Sequence, residues 1–461
     1  MKRIMATLLL ACCVLACLAA PHPASAKEAG DVSDLYITIY NGDLALVKEK
    51  RSFDLASGRQ QFILDNVSGR LNPSTVHLSF PEGVDFELLE QNFDYDLVNM
   101  DKMLEKFIGR ELTLVDDYQK TEQRVTLLST SGGRVVKDSR GQILLNPPGR
   151  IVLPSGSADE LLLRPTLSWD MWAGNAGTHA GEISYLSGGL DWKADYVVML
   201  AADDASADIE GWVTLTNNSG TTFENANLKL VAGDVNRASD NDDYQRDYEM
   251  LDYAMAEEAA PEGFAEESFF EYHLYDLQRP TTVRNNQQKQ IGLLTASGIS
   301  TKKLFVFDGR NGGDVSVKVQ FENSEENNMG MPLPKGIVRV FKADSKGQAQ
   351  FVGEDRIDHT PRDEDVRLTI GNAFDIKGET VRKDYKDIGR GYTETWEITL
   401  KNHKESEDVT VTVPFNIWDD WSIFSSTTDY VKKDANTAEF KVDVPADGET
   451  SFTFQYRVDW R

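Results

Sequence analysis

Cysteine is nearly absent from this 461-residue chain, and the three present, Cys12, Cys13 and Cys17, all fall near its start. Beyond Cys17 the chain has no thiol for a disulfide, a thiolate metal site or a cysteine nucleophile. Histidine is also sparse. Six occur, and none is spaced as H-x-x-x-H or H-E-x-x-H, which excludes the helical zinc-hydrolase pattern. The chain contains no G-x-S-x-G elbow, no G-x-x-x-x-G-K-[ST] loop and no G-x-G-x-x-G turn. It therefore points to no catalytic residue, no cofactor and no resident metal.

Positive charge is the next shortage. Lys and Arg number 48 against 75 Asp and Glu, a formal charge of −27. Phosphate binding needs clustered cations, so nucleic acid is excluded as a partner. Long apolar runs are confined to residues 4–20, which follow Lys2 and Arg3 and precede Ala24-Ser25-Ala26. A basic start, a short apolar run and a small-x-small site describe a secretory signal, residues 1–26, with cleavage after Ala26. The apolar run is too short for a membrane anchor, and the mature chain has no candidate transmembrane helix. Val14-Leu15-Ala16-Cys17 leaves a second processing route open, with a lipid on Cys17. Cleavage after Ala26 yields a cysteine-free chain of about 435 residues, room for roughly three domains.

What remains is rich in period-two alternation. Val315, Val317, Val319 and Phe321 alternate with polar residues, as do Trp396, Ile398 and Leu400, and Phe452, Phe454, Tyr456, Val458 and Trp460. Such runs place one face in a core and one in water. "VTLTNNSG…ANLKLV" is echoed by "ITLKNHKESEDVTVTV" and by "VKVQFENSEENN": each strand runs into Asn and then a polar stretch. Asn tolerates left-handed backbone geometry and bonds its own turn, so the motif reads as a repeated strand connection. The expected fold is mainly β: several antiparallel, immunoglobulin-like sandwiches with a small β-barrel-like module and little helix.

The expected domains are an N-terminal β domain (27–96), a connecting helix (97–109) and the barrel-like module (110–165). A central sandwich (166–345) and a C-terminal immunoglobulin-like domain (346–461) follow. Leu97, Met100, Leu104 and Phe107 fall at helical spacing before Gly109. Residues 240–271 hold twelve Asp or Glu and one Arg, and read as a flexible acidic insertion.

Two acidic features resemble sites without matching one. "EDRIDHTPRDED" (354–365) gathers Asp355, Asp358, His359, Asp363 and Asp365, but Arg356, Arg362 and Arg367 accompany them. It lacks the EF-hand register and reads as a salt-bridged loop. In "DWKADYVVML", Lys193 stands between Asp191 and Asp195, as in a surface ladder.

The aromatic residues carry the clearest binding signal. Four of the eight tryptophans lie in two W-D-x-W elements, Trp169-Asp170-Met171-Trp172 and Trp418-Asp419-Asp420-Trp421. Neither follows clean alternation, so at least one ring of each is expected to be partly exposed. Two readings follow. The tryptophans cap sandwich ends, bonding their indole N–H groups; or Trp169, Asp170, Trp172, Trp418, Asp419 and Trp421 form ligand surfaces where rings stack on sugars and carboxylates take hydroxyls.

"ISYLSGGLDWKADYVVML", "GWVTLTNNSGTTFENANLKLVAGDVN", "YHLYDLQRPTTVRNNQQKQIGLL" and "FVGEDRIDHTPRDEDVRLTIGNAFD" together resemble the bacterial domain-of-unknown-function family 4139, over roughly residues 165–460. The resemblance implies a periplasmic or envelope-associated β protein and brings no catalytic residues. The expected role is a non-enzymatic scaffold or binding module whose partner is an envelope protein or glycan. A polysaccharide-acting enzyme is the alternative. An outer-membrane β protein is a third reading, because "FTFQYRVDW" is similar to a barrel's closing strand.

Overall fold

In a computed structural model the described residues are 26–94, 100–116, 118, 120–155, 164–233, 235–236 and 263–460. Most of the expected signal segment, with its three cysteines, and most of the expected acidic insertion lie outside them. The chain is mainly β, with several multi-stranded sheets and little helix. It divides into two compact units: residues up to 34 with 48–185, and residues 35–47 with 186–461.

In the first unit a four-stranded sheet runs in the order Lys27–Glu28, Gly58–Asp65, Thr166–Ala173, Phe86–Asp94. Thr166–Ala173 is central and antiparallel to both long neighbours. Its core is aromatic: the Phe53 ring lies 5.3 Å from Phe62, 5.2 Å from Phe80 and 6.3 Å from Trp169. Edge-to-face packing at these separations suits rings with electron-rich faces and positive edges.

The same unit holds a small module. Helix Met100–Lys106 buries Leu104 and Phe107 against Leu112, Leu114, Val125, Leu127 and Val136 of a five-stranded sheet. Gly109 ends the helical segment with φ of +81°, which glycine adopts without a Cβ clash. The barrel expected here does not close. The edge strands, Ile143–Leu145 and Arg150–Val152, are three residues each and pair with their inner neighbours only, leaving an open sheet packed on one helix.

The second unit begins with a five-stranded sheet, Gln287–Ser300, Ser206–Asn217, Leu190–Leu200, Gly336–Ala343, Ala349–Ile357. In Leu190–Leu200 every second residue from Leu190 is buried, as the alternation requires. A separate set of strands centres on Phe223–Ala232, which pairs with Tyr272–Leu277 and runs parallel to residues 36–40. Phe264–Phe269, at the end of the expected acidic insertion, is itself a strand paired with Tyr272–Leu277. Pairing is mostly antiparallel, but Leu190–Leu200 runs parallel to Gly336–Ala343. A parallel pair needs a long crossover, and here well over a hundred residues intervene.

The C-terminal part is one continuous nine-stranded sheet that folds over itself. Strand Asp365–Asp387 makes the corner: residues 365–377 pair with Asp314–Glu322 and residues 376–387 with Gly391–Asn402. Strands far apart in the sheet order then meet face to face. Phe415 lies 5.2 Å from Trp396 and 4.8 Å from Phe454, and Phe440 lies 4.9 Å from Phe452. Gly378 permits this at one point, since a Cβ there would sit 2.3 Å from the Phe307 ring.

Phe454 contacts rings from both halves of the folded sheet. Phe454→Ala is expected to cost about 3–5 kcal/mol, from lost transfer energy plus a cavity. Urea unfolding followed by tryptophan emission checks this; a loss below about 1 kcal/mol would show that the two halves do not share a core.

Candidate functional site

The first W-D-x-W element lies within strand Thr166–Ala173, whose apolar residues all fall in one phase except Trp172, although Thr166 and Asp170 in the other phase are buried as well. Leu167, Trp169, Met171 and Ala173 are buried, while Trp172 is 39% exposed. Thr166, Ser168 and Asp170 share its phase. Trp172 looked like a break in the pattern because a large apolar side chain occupies the polar phase. The irregularity belongs to the neighbouring strand, where the register skips Leu89 opposite Asp170 and Met171.

Trp169 donates its indole N–H to Gln91 Oε1 at 2.9 Å. Asp170 accepts from Arg59 Nε at 2.9 Å and from the same guanidinium's Nη2. That hydrogen bond, more than burial opposes it, holds the Asp170 carboxyl below the usual aspartate range. Over this sheet lies a groove of about 580 Å³, lined by Gln61, Asp65, Glu90, Asn92, Ser168 and Asp170 among others. Besides Asp170, two of its carboxylates are paired: Asp65 with Arg164 at 3.7 Å and Glu90 with Arg59 at 3.8 Å.

The second element is a turn. Asp419 is left-handed at φ of +69°, and strand Asp420–Ser426 starts behind it. Trp421 is buried, donates its N–H to Ala435 O at 2.7 Å and carries Lys432 Nζ 4.2 Å above its ring. Trp418 is 63% exposed. Each element thus has one buried, hydrogen-bonded indole and one solvent-facing ring.

Beside this turn lies a buried ionic cluster that the sequence reading missed. Glu394 is 3% exposed. It accepts from Arg382 Nη1 at 2.9 Å, from Trp396 Nε1 at 2.8 Å and from the Tyr456 hydroxyl. Arg310 completes the cluster by donating to the Tyr456 hydroxyl at 3.0 Å. Burial alone would raise the Glu394 pKa. The hydrogen bonds from Tyr456, Trp396 and Arg382, with the Arg310 charge, more than offset burial and leave it below the usual glutamate range. The signal was available: continuing the inward phase of Leu400, Ile398 and Trp396 by two residues points Glu394 into the core.

The repeated Asn motif proves to be a clamp. Asn217, Asn323 and Asn402 are fully or almost fully buried, and none is left-handed. Asn217 donates to Thr221 O and Val283 O, both at 3.0 Å, and accepts from Ser219 N at 3.0 Å. Asn402 donates to Glu407 O at 2.8 Å and Pro445 O at 3.1 Å, and accepts from Lys404 N at 3.0 Å. Asn323 donates to Met331 O and Pro361 O, at 2.9 and 3.0 Å, and accepts from Gly330 N at 3.1 Å. Each amide ties two or more loop segments to the end of a strand.

The remaining acidic features are ion-paired. In 354–365, Asp355 Oδ2 accepts from Thr369 N, Arg362 meets Glu325 at 3.0 Å and Arg367 meets Asp365 at 3.2 Å. Asp195 bonds Thr214 at 2.9 Å and Arg339 at 3.1 Å, with Lys193 at 3.6 Å. Among the described residues no group of His, Asp and Glu is arranged to hold a metal ion. Comparison with protein-family models finds no match, and comparison with curated proteins finds none.

Three outcomes are expected. Asn217→Ala and Asn402→Ala should each cost about 2–3 kcal/mol, because buried carbonyls lose their donors. Asn402→Asp should cost progressively more as pH rises above the ordinary aspartate range, since a carboxylate facing carbonyls is favoured only when protonated; urea midpoints at pH 4 and 7 compare the two. For Glu394 the sign is opposite. Its depressed folded pKa contributes stability above about pH 4.3 that is lost as pH falls through the folded value. Glu394→Gln should flatten the acid side of the stability profile, and an unchanged profile would show that Glu394 is not ionised in the fold.

Proposed function

We propose that the protein is an exported bacterial envelope protein, periplasmic after cleavage behind Ala26, that acts as a non-enzymatic scaffold or binding module. Its resemblance to family 4139 agrees with that address. The observation that carries the reading is the state of its buried carboxylates. A general acid or base works best with a pKa near the operating pH. Asp170 and Glu394, the buried carboxylates nearest the two W-D-x-W elements, are instead held low by Arg59 and by Tyr456, Trp396 and Arg382. Groups fixed this way serve the architecture and leave the surface for recognition.

A second reading has its own support. Ser168, Asn92 and Gln61 line a groove beside Asp170, and Trp172 presents its ring on the same strand face. Hydroxyls, amides and an indole on one face suit a polysaccharide ligand.

Purified chain beginning at Lys27 is expected to co-sediment saturably with isolated envelope fragments whose glycan and peptide mass profiles stay unchanged. New glycan or peptide fragments would replace the proposal with an enzymatic one. Absence of co-sedimentation would remove the envelope partner.

A further inference from the structure

The C-terminal sandwich ends in aromatic rings left partly in water. The inward phase of strand Gly391–Asn402 runs from Leu400 through Ile398, Trp396 and Glu394 to Tyr392. That of Gly448–Asp459 runs from Phe452 through Phe454, Tyr456 and Val458, with Trp460 next beyond the strand. Trp460, beyond the second phase, is 48% exposed, and Tyr385, on the adjoining strand Asp365–Asp387 opposite Glu394, is 49% exposed. Tyr385 stacks on Tyr392 with centroids 5.6 Å apart at 26°, and Tyr392 lies 6.4 Å from Trp460. Asp420 is registered opposite Asp459, which brings the Trp418-Asp419 turn to the same end; the Asp419 charge is among those acting on the Tyr392 hydroxyl.

We infer that this end, where Tyr385, Tyr392 and Trp460 pack together and the turn bearing Trp418 lies alongside, is a binding platform for a neutral oligosaccharide. The inference rests on the reading of the chain as a binding module and names a site and ligand class for it. Rings that cluster in water, unlike single scattered ones, suit a recognition surface. Tyr385 and Tyr392 brace one another, and the backbone N–H of Trp460 donates to Arg390 O at 2.9 Å, fixing the chain that carries the indole.

The surrounding charges select the ligand. A quaternary ammonium group, the other common occupant of aromatic clusters, would meet Arg382, whose guanidinium already lies 5.6 Å from the Tyr385 ring centre. A polyanion or anionic membrane would meet exposed Asp419 and Asp420 on a chain of net charge −27. A neutral pyranose avoids both penalties. Its C–H face lies flat on a ring, and its hydroxyls donate to carboxylates at the rim.

The test uses the full chain from Lys27, with calorimetric and tryptophan-emission titrations against chitohexaose, maltohexaose and laminarihexaose. Tetramethylammonium chloride and an alginate hexamer serve as charged comparators. The expected result is saturable binding of at least one neutral hexamer, weakened about tenfold or more by Trp460→Ala and Trp418→Ala. Trp172→Ala should leave it unchanged. Trp418 is 63% exposed, so its removal should not move the melting temperature. No binding of any neutral hexamer, preferential binding of either charged probe, or loss through Trp172→Ala alone would overturn the platform. Envelope co-sedimentation that persists in Trp418→Ala and Trp460→Ala with no hexamer bound would sink this inference while leaving the binding-module reading intact.

Discussion

A strand that leaves its sheet still carries carbonyls and amides that were satisfied by pairing while it lay inside. In a molecule built of long strands, those departures recur, and the backbone just beyond each one must be satisfied or left in water. Asn217, Asn323 and Asn402 meet that requirement in one way. The carboxamide has the donors and acceptor of a peptide group on a short side chain. It reaches carbonyls of segments far away in sequence, such as Val283 from Asn217 and Pro361 from Asn323. Loop position follows from these bonds, and with it the positions of the surfaces the loops carry. Ionised Asp cannot substitute because it lacks the donors, and Gln adds a rotatable bond whose ordering costs entropy.

The ionic clusters follow the same logic with charge added. A carboxylate deep in a sheet is costly to bury and is retained only where donors converge on it. Glu394 has Arg382, Trp396 and Tyr456; half-buried Asp204, in the bend before Ser206–Asn217, is likewise held by Lys303 at 2.8 Å and Lys342. Donors that hold a carboxylate ionised also occupy its lone pairs. Such a group is a poor proton donor and a poor nucleophile. In an acidic chain such pairing lets carboxylates such as Glu394 and Asp204 stay ionised inside the fold.

The local period of the sequence made the layers legible but not their connections. Alternation located the buried faces at Val315–Phe321, Trp396–Leu400 and Phe452–Val458, because side-chain direction depends only on neighbours along one strand. Parallel pairing of Leu190–Leu200 with Gly336–Ala343, and the folding of nine strands into one continuous sheet, depend on contacts between distant segments that leave no local periodic trace. The Asn recurrence was visible, yet its mechanism was not. A turn-forming Asn and a buried clamp look alike in one sequence, since the difference lies in what the amide reaches. At the two W-D-x-W elements, one exposed ring in each was foreseeable. Which ring is buried depended on strand phase at Trp169 and on the left-handed Asp419 at the second site.

Phase also explains why the aromatic end differs from the core beneath it. The same alternation that buries Phe452 and Phe454 continues outward to Trp460, so the inward face does not stop where full burial does. Polar side chains in that phase would cost less in water than Tyr385 and Trp460, each about half exposed. The Glu394 cluster beneath fixes the strands that present them: Tyr456 comes from the strand preceding Trp460, Arg382 from the strand bearing Tyr385, and Trp396 from the strand bearing Tyr392. Rigid support below and apolar rings above is an arrangement that lowers the entropic cost of binding, because the surface is already ordered before a ligand arrives. A cluster serving stability alone would have no reason to carry its aromatic phase past the point where the rings can be covered.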